Sequence, residues 1–260
     1  YSADYLSDHV YHAQMEPLNA IVAVNPAGDG AEIWAGTQSP TGAIKEVAQL
    51  LGTSPRKIKL HPCFLGGGFG RRSMSDYIVE AAKLSKAVRK PVKLIWSRED
   101  DLQYGAFRPM CLQRLDAGVD AEGKLIAWKH SLIGDGRRLL SSGAKTPYYD
   151  IPNQHIEIIG LNHGVRLKHW RAVGHGFTKF AIESFIDEIA VSEGVDPYQF
   201  HRQVMRNSPR ALKVLETAAD LAGWGEHLQG VAHSEFPLPN AVARWQPALQ
   251  RSRWRNHLER

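Results

Sequence analysis

Residues 65–72 read Leu-Gly-Gly-Gly-Phe-Gly-Arg-Arg, with four glycines in the five positions from 66 to 70. Glycine lets the backbone bend sharply and approach closely, but it packs nothing and loses the most freedom on folding. Such a run must be bent around something. Lys57-Ile-Lys-Leu60 before it reads as a short strand. Asp76 to Arg89 after it reads as a helix, with Ile78, Ala81, Ala82, Leu84 and Val88 on the core face. Strand, glycine turn and helix is the order in which converging backbone N–H groups make an anion nest. Arg71 and Arg72 are placed to add charge for a phosphate. Two familiar motifs fail. Gly-x-Gly-x-x-Gly fits only if its last glycine is dropped, and a P-loop ends in Gly-Lys-Ser/Thr where this chain has Gly-Arg-Arg-Ser. A plain glycine-rich bend remains the alternative.

The rest of the chain reads as mixed strands and helices. Ala20–Val24 and Ala31–Ala35 are strands around the turn Asn25–Gly30. Ser39-Pro40 opens a helix, with Ser39 as cap and Pro40 as first residue, and Gly52 ends it. Pro91–Trp96 is a strand, 110–133 a hairpin turning at Ala121-Glu-Gly, 134–153 loop, and His155–Ile159 a strand. Phe177 to Glu193 is an amphipathic helix through Phe180, Phe185, Ile186, Ile189 and Ala190, stopped by Gly194. Asp196-Pro197 starts another helix, and Ala211–Ala222 is a further one. This is an α+β chain of mixed sheets with packed helices.

Residues 1–236 form the folded region, with a sub-domain boundary expected near 134–153. The arginine-rich 237–260 read as a basic tail outside it. Lys+Arg number 32 against 27 Asp+Glu, a formal charge of +5. That suits an anionic ligand or acidic partner without requiring one, and no nucleic-acid module is visible. Cys63 and Cys111 lack metal or redox spacing and are expected as two buried free thiols. No apolar run approaches the roughly 18 residues of a membrane span, so no integral membrane segment is expected.

Four further stretches accompany the glycine loop: His12-Ala-Gln-Met-Glu-Pro-Leu-Asn19, Trp34-Ala-Gly-Thr-Gln-Ser-Pro40, Pro91–Asp100, and Trp170-Arg-Ala-Val-Gly-His175 before a helix carrying Glu183–Glu188. Together, in this order, the five motifs resemble the molybdopterin-binding large subunit of the xanthine dehydrogenase and aldehyde oxidase family. The isoquinoline 1-oxidoreductase beta-subunit type is the nearest branch. The resemblance runs from about Tyr11 to about Phe236.

The resemblance implies a molybdenum ion held by a pterin dithiolene, often as the cytosine dinucleotide. It implies hydroxylation of N-heterocycles beside nitrogen, or aldehyde oxidation, with water as oxygen source. Gln38 corresponds to the glutamine near the metal's oxo group. Gly66, Gly67, Gly68, Phe69, Gly70 and the following Arg71 correspond to the loop around the metal end, with Phe69 walling the substrate pocket. Arg171 and Ala172 correspond to the family's Arg-plus-small-residue element, where the arginine stabilises charge on a substrate oxygen. The bland alternatives are a helix-flanking Gln38, a core Phe69 and an Arg171 ion-paired to a helix carboxylate. His175 is an acid–base candidate in isolation, Glu183 reads as structural, and Glu16 as a buried pairing group. No protein metal ligand is expected, because no His/Cys/Asp/Glu cluster has ligand spacing.

The family's general-base glutamate has no counterpart in this sequence. The match fades after Gly230–Phe236, and 134–150 look shortened. The chain is expected to be a fragment or a truncated gene product with little turnover alone. By resemblance, electrons would leave through a small partner with two [2Fe–2S] clusters, with a cytochrome c as a further partner. The compartment stays open between cytoplasm and periplasm. The rival is a non-catalytic module that uses the glycine loop for an anion and the basic tail for a partner. The two part on geometry: the first needs Gln38, Phe69 and Arg171 on one cavity wall despite their separation in sequence, and the second needs only a basic surface with the tail ordered on it.

Overall fold

The computed structural model describes residues 1–225. In chain order the elements are β1 (Ser2–Ser7), β2 (Val10–Tyr11), β3 (Asn19–Val24), β4 (Ala31–Ala35), α1 (Pro40–Leu51), β5 (Ile58–Pro62), α2 (Asp76–Val88), β6 (Val92–Ile95) and α3 (Arg98–Tyr104). Then come β7 (Phe107–Arg108), β8 (Cys111–Val119), β9 (Leu125–Gly134), α4 (Arg138–Ser141), β10 (Asn153–Gly160), α5 (His175–Ser192), α6 (Pro197–Val204) and α7 (Pro209–Ala222). The basic tail and Gly230–Phe236 lie outside the described residues.

Two mixed sheets organise the chain. The first has the order β5-β4-β3-β6, with β4 and β5 parallel and the other pairs antiparallel. The second has the order β1-β8-β9-β10, with only β9 and β10 parallel. A two-strand ribbon, β2 with β7, lies between them in sequence. Helices α1 and α2 supply Ala43, Val47, Ala48, Tyr77, Ile78, Ala81 and Ala82 to the core of the first sheet. Helices α5 and α6 supply Ala181, Ile182, Phe185, Ile186, Ile189, Ala190 and Phe200 to that of the second.

Several expectations are corrected. The chain does not change cores near 134–153: Tyr149 and Ile151 are buried in the second core, and Leu140 and Ala144 in a small adjoining one. It changes cores where β1 hands over to β3, and again after β6. Leu84, Val88 and Phe180 are exposed, because Tyr77 and Ser85 complete the buried face of α2 instead and Phe180 stacks edge-on against Tyr5 at the surface. Ser39 precedes α1 but makes no side-chain capping bond. Cys63 is exposed, and only Cys111 is buried. The stops hold: Gly52 and Gly194 both take left-handed φ, 68° and 70°.

Candidate functional site

The glycine loop leaves β5 at Pro62 and rejoins helix through a 3-10 turn, Arg71–Ser73, ahead of α2. Its glycines allow close approach. A Cβ on Gly68 would stand 2.6 Å from Gln38 Oε1, and one on Gly70 2.1 Å from the His169 carbonyl oxygen. The loop is thus pressed between the turn after β4, which carries Gln38, and the 169–173 turn, which carries Arg171.

Gln38 and Arg171 meet on one peptide. The Gly70 N–H donates to Gln38 Oε1 at 2.9 Å, and the Arg171 N–H donates to the Phe69 carbonyl at 2.9 Å. The C=O and N–H of a trans peptide point in opposite directions, so the two partners flank the loop on opposite sides. Gln38 and Arg171 are both exposed. The Arg171 guanidinium lies 4.9 Å from the Phe69 ring centroid. Among the described residues it has no ion pair, so the helix-carboxylate alternative for Arg171 does not apply. Nor does Gln38 merely flank a helix.

Backbone strain gathers here. Phe69, Ala172 and Val173 have φ of 50°, 68° and 55°. Left-handed geometry is costly for a non-glycine residue and worst for a β-branched one. Strained residues of this kind cost about 1–3 kcal/mol each and cluster where structure serves function.

Arg71 and Arg72 depart from their expected role. Both side chains are fully buried and turned inward. Arg71 forms a two-bond pair with Asp76 at 2.9 and 2.8 Å. Asp76 also accepts from Arg166 at 2.9 Å, which ties the loop to the segment of chain leading to Arg171. Burial pushes the Asp76 carboxyl up, and the two arginines more than offset it, holding it below its ordinary value. Arg72 hydrogen-bonds backbone carbonyls and pairs with Glu16 at 2.9 Å. Glu16 also accepts from Gly66 N–H at 2.8 Å. It is the pairing group expected, but half-exposed rather than buried. Its carboxyl is likewise lowered, against the effect of burial, by Gly66, Asn19 and Arg72.

Ser73 and His169, which sequence reasoning missed, and His12, which opens the first of the five motifs, complete the frame. The Ser73 hydroxyl lies 3.0 Å from His169 Nε2. His12, 3% exposed, sits with its ring nitrogens 3.0 and 3.1 Å from the Ala106 and His169 carbonyl oxygens. Nothing local marks Ser73. His12 stands in one of the five motifs, but its partners lie far along the chain. Glu183 accepts from Tyr148 and Tyr149, the structural role expected of it. His175 starts α5 and is exposed.

A family model for the molybdopterin cofactor-binding domain matches residues 1–205. The chain belongs to this family. The beta subunit of isoquinoline 1-oxidoreductase from Brevundimonas diminuta is 35% identical over 86% of this chain and 30% of the relative. The molybdenum-binding subunit of an aldehyde oxidoreductase from Escherichia coli K12 is 29% identical over 85% and 32%. The molybdopterin-binding chain thus spans about a third of the length of these curated relatives, both of them oxidoreductases in name. In fold it matches quinoline 2-oxidoreductase from Pseudomonas putida 86 with a TM-score of 0.77, over 96% of this chain and 34% of that one, at 17% identity.

The donors present fit a molybdopterin. Among the described residues no group of three or more His, Cys, Asp or Glu is placed to hold a metal ion. What the domain offers instead is hydrogen-bond donors. Among the described residues the N–H groups of Gly67, Gly68 and Phe69, the Gln38 amide nitrogen and the Arg171 guanidinium have no acceptor. Unclaimed donors suit phosphate and oxo oxygens on a metal that brings its own sulfur ligands. They do not suit a bare cation.

Proposed function

We propose that Gln38, the 66–70 loop, Arg171 and Ala172 hold the metal end of the molybdopterin, in its cytosine dinucleotide form. The domain would serve aldehyde oxidation or hydroxylation of an N-heterocycle. The observation that carries this is the meeting of Gln38 and Arg171 on the Phe69–Gly70 peptide. When bound, the cofactor supplies a two-electron oxidation with water as the oxygen source. The chain supplies orientation and charge. The Gly70 N–H occupies Gln38 Oε1, which leaves the amide nitrogen as the end that donates to a ligand oxygen. Arg171, backed by the Phe69 ring, sets positive charge where negative charge develops on a substrate oxygen. Phe69 walls the site, and Ala172 keeps the turn beside it small.

Electrons would pass to a small partner chain with two [2Fe–2S] clusters, and onward to a cytochrome c. Turnover would also need a general base, and this sequence offers no counterpart of the family's glutamate. The rival module's basic tail lies outside the described residues, and its anion would have to sit on the loop N–H groups, because Arg71 and Arg72 face inward.

The test is molybdenum and pterin content of the purified chain after co-expression with a molybdenum cofactor supply. Stoichiometric metal and pterin, lowered by Arg171→Ala, is the expected result. A folded chain that retains neither overturns the assignment of the site to these residues.

A further inference from the structure

The free N–H groups of the glycine loop are aimed from behind. Each peptide plane fixes an N–H opposite its C=O, and there are no cis peptides among the described residues. The Gly66 carbonyl accepts from Glu16 N–H at 3.1 Å, and the Gly68 carbonyl from Arg71 N–H at 2.8 Å. The Gly67 carbonyl accepts from Arg72 Nε at 3.0 Å. The N–H groups opposite these three carbonyls belong to Gly67, Gly68 and Phe69. None of these three N–H groups has an acceptor among the described residues.

Two of the three anchors are backbone groups. The middle one is a side chain, and its grip is extensive. Arg72 Nη1 donates to the Gly36 carbonyl at 3.1 Å. Arg72 Nη2 lies 3.0 Å from the Glu16 carbonyl, 2.9 Å from Glu16 Oε2 and 3.1 Å from the Pro17 carbonyl. One planar fork therefore joins three segments of chain: 16–17, the end of β4, and the loop.

We propose that Arg72, held by the Glu16 carboxylate, is a positioning residue that turns the Gly67–Gly68 peptide so that a row of three N–H groups faces an oxyanion. It acts on the ligand through the backbone and touches no ligand itself. This rests on the site assignment above but reverses the role that its sequence position suggested. Its specificity lies in the fork: a lysine ammonium keeps the charge but cannot reach Gly67, Gly36 and Glu16 in one plane.

The test is a titration of the isotope-labelled full chain with inorganic phosphate, read at the amide signals of Gly67, Gly68 and Phe69. In the wild type the three signals should move together and saturate. Arg72→Lys should weaken the apparent affinity about tenfold or more, and Glu16→Gln should weaken it less. Leu115→Val in the second core, which loosens the fold elsewhere, should titrate like the wild type. Signals that stay still in the wild type, or an Arg72→Lys variant with wild-type affinity, overturn the proposal. If Arg72→Lys does not fold, Glu16→Gln decides, and unchanged affinity there overturns it too. Cofactor content reads the site assignment separately. A chain that responds to phosphate but loads no molybdenum sinks that assignment and supports the role of Arg72.

Discussion

Gly70→Ala tests the packing of the site most directly. Gly70 has φ of 104°, and the added methyl would stand 2.1 Å from the His169 carbonyl oxygen. Ordinary contact requires the two to separate by about 1.3 Å. The oxygen is poorly placed to move, because it lies 3.1 Å from His12 Nε2 and its own ring is tied to Ser73. Two costs therefore add. Left-handed backbone costs alanine about 1–2 kcal/mol, and a forced displacement in packed structure about 1–3 kcal/mol. The sum is about 2–5 kcal/mol. Gly52→Ala is the matched control, since Gly52 has φ of 68° with nothing within 4 Å of the added methyl. It should show the first cost alone. The assay is urea unfolding followed by far-UV circular dichroism, with the midpoint of each variant compared at equal slope. At this chain length each kcal/mol also lowers Tm by about 2–4 °C. A Gly70→Ala protein no less stable than Gly52→Ala would refute the close packing of the 169–173 turn on the loop.

Arg171→Ala should cost less than about 1 kcal/mol, the scale of an exposed cation–π contact, yet lower molybdenum per chain; thermal melts and metal analysis separate the two. Asp76→Asn removes one of the two carboxylates facing buried Arg71 and leaves Asp101 3.5 Å from its Nε, so it should cost about 1–3 kcal/mol, measured by urea midpoints. The Asp76 carboxyl lies below its ordinary 3.8 in the folded chain. Its contribution is therefore full above that pH and lost as pH falls through the lower folded value, so wild-type stability should drop on acidification more steeply than that of Asp76→Asn. A thiol reagent should titrate one cysteine in the native chain and two after denaturation, because Cys63 is exposed while burial pushes the Cys111 thiol up to about 12.

Local signals are readable from the sequence. Pro40 and Gly52 bracket α1, Asp196-Pro197 opens α6 with the Asp196 side chain accepting from Gln199 N–H, and the 110–133 hairpin turns where expected. The candidate site is legible only through five separated motifs, and their meeting point depends on contacts such as Arg171 with Phe69 that no local pattern encodes. Arg71 and Arg72 show the limit. A basic pair beside glycines looks like a phosphate ligand until the carbonyls and carboxylates beneath it are known. Helix α3 escapes a reading of the sequence although Ser97 and Asp100 form a capping box, because its short run has little apolar periodicity. Strand β1 escapes it because its partner among the described residues lies far along the chain, in β8.

The pairing of β1 with β8 also sets an order in time. Ser2 stands opposite Asp116, with the whole first sheet and its helices threaded between the two strands. During synthesis at about 5–20 residues per second, β1 emerges about 5–20 s before its partner strand exists. In that interval Ala3 and Tyr5, which pack against the second core, have no core to join, while the first sheet can already assemble beside them. The edge of β1 must be kept from other strands over those seconds, and a cell that fails to do so would lose the second sheet before it lost the first.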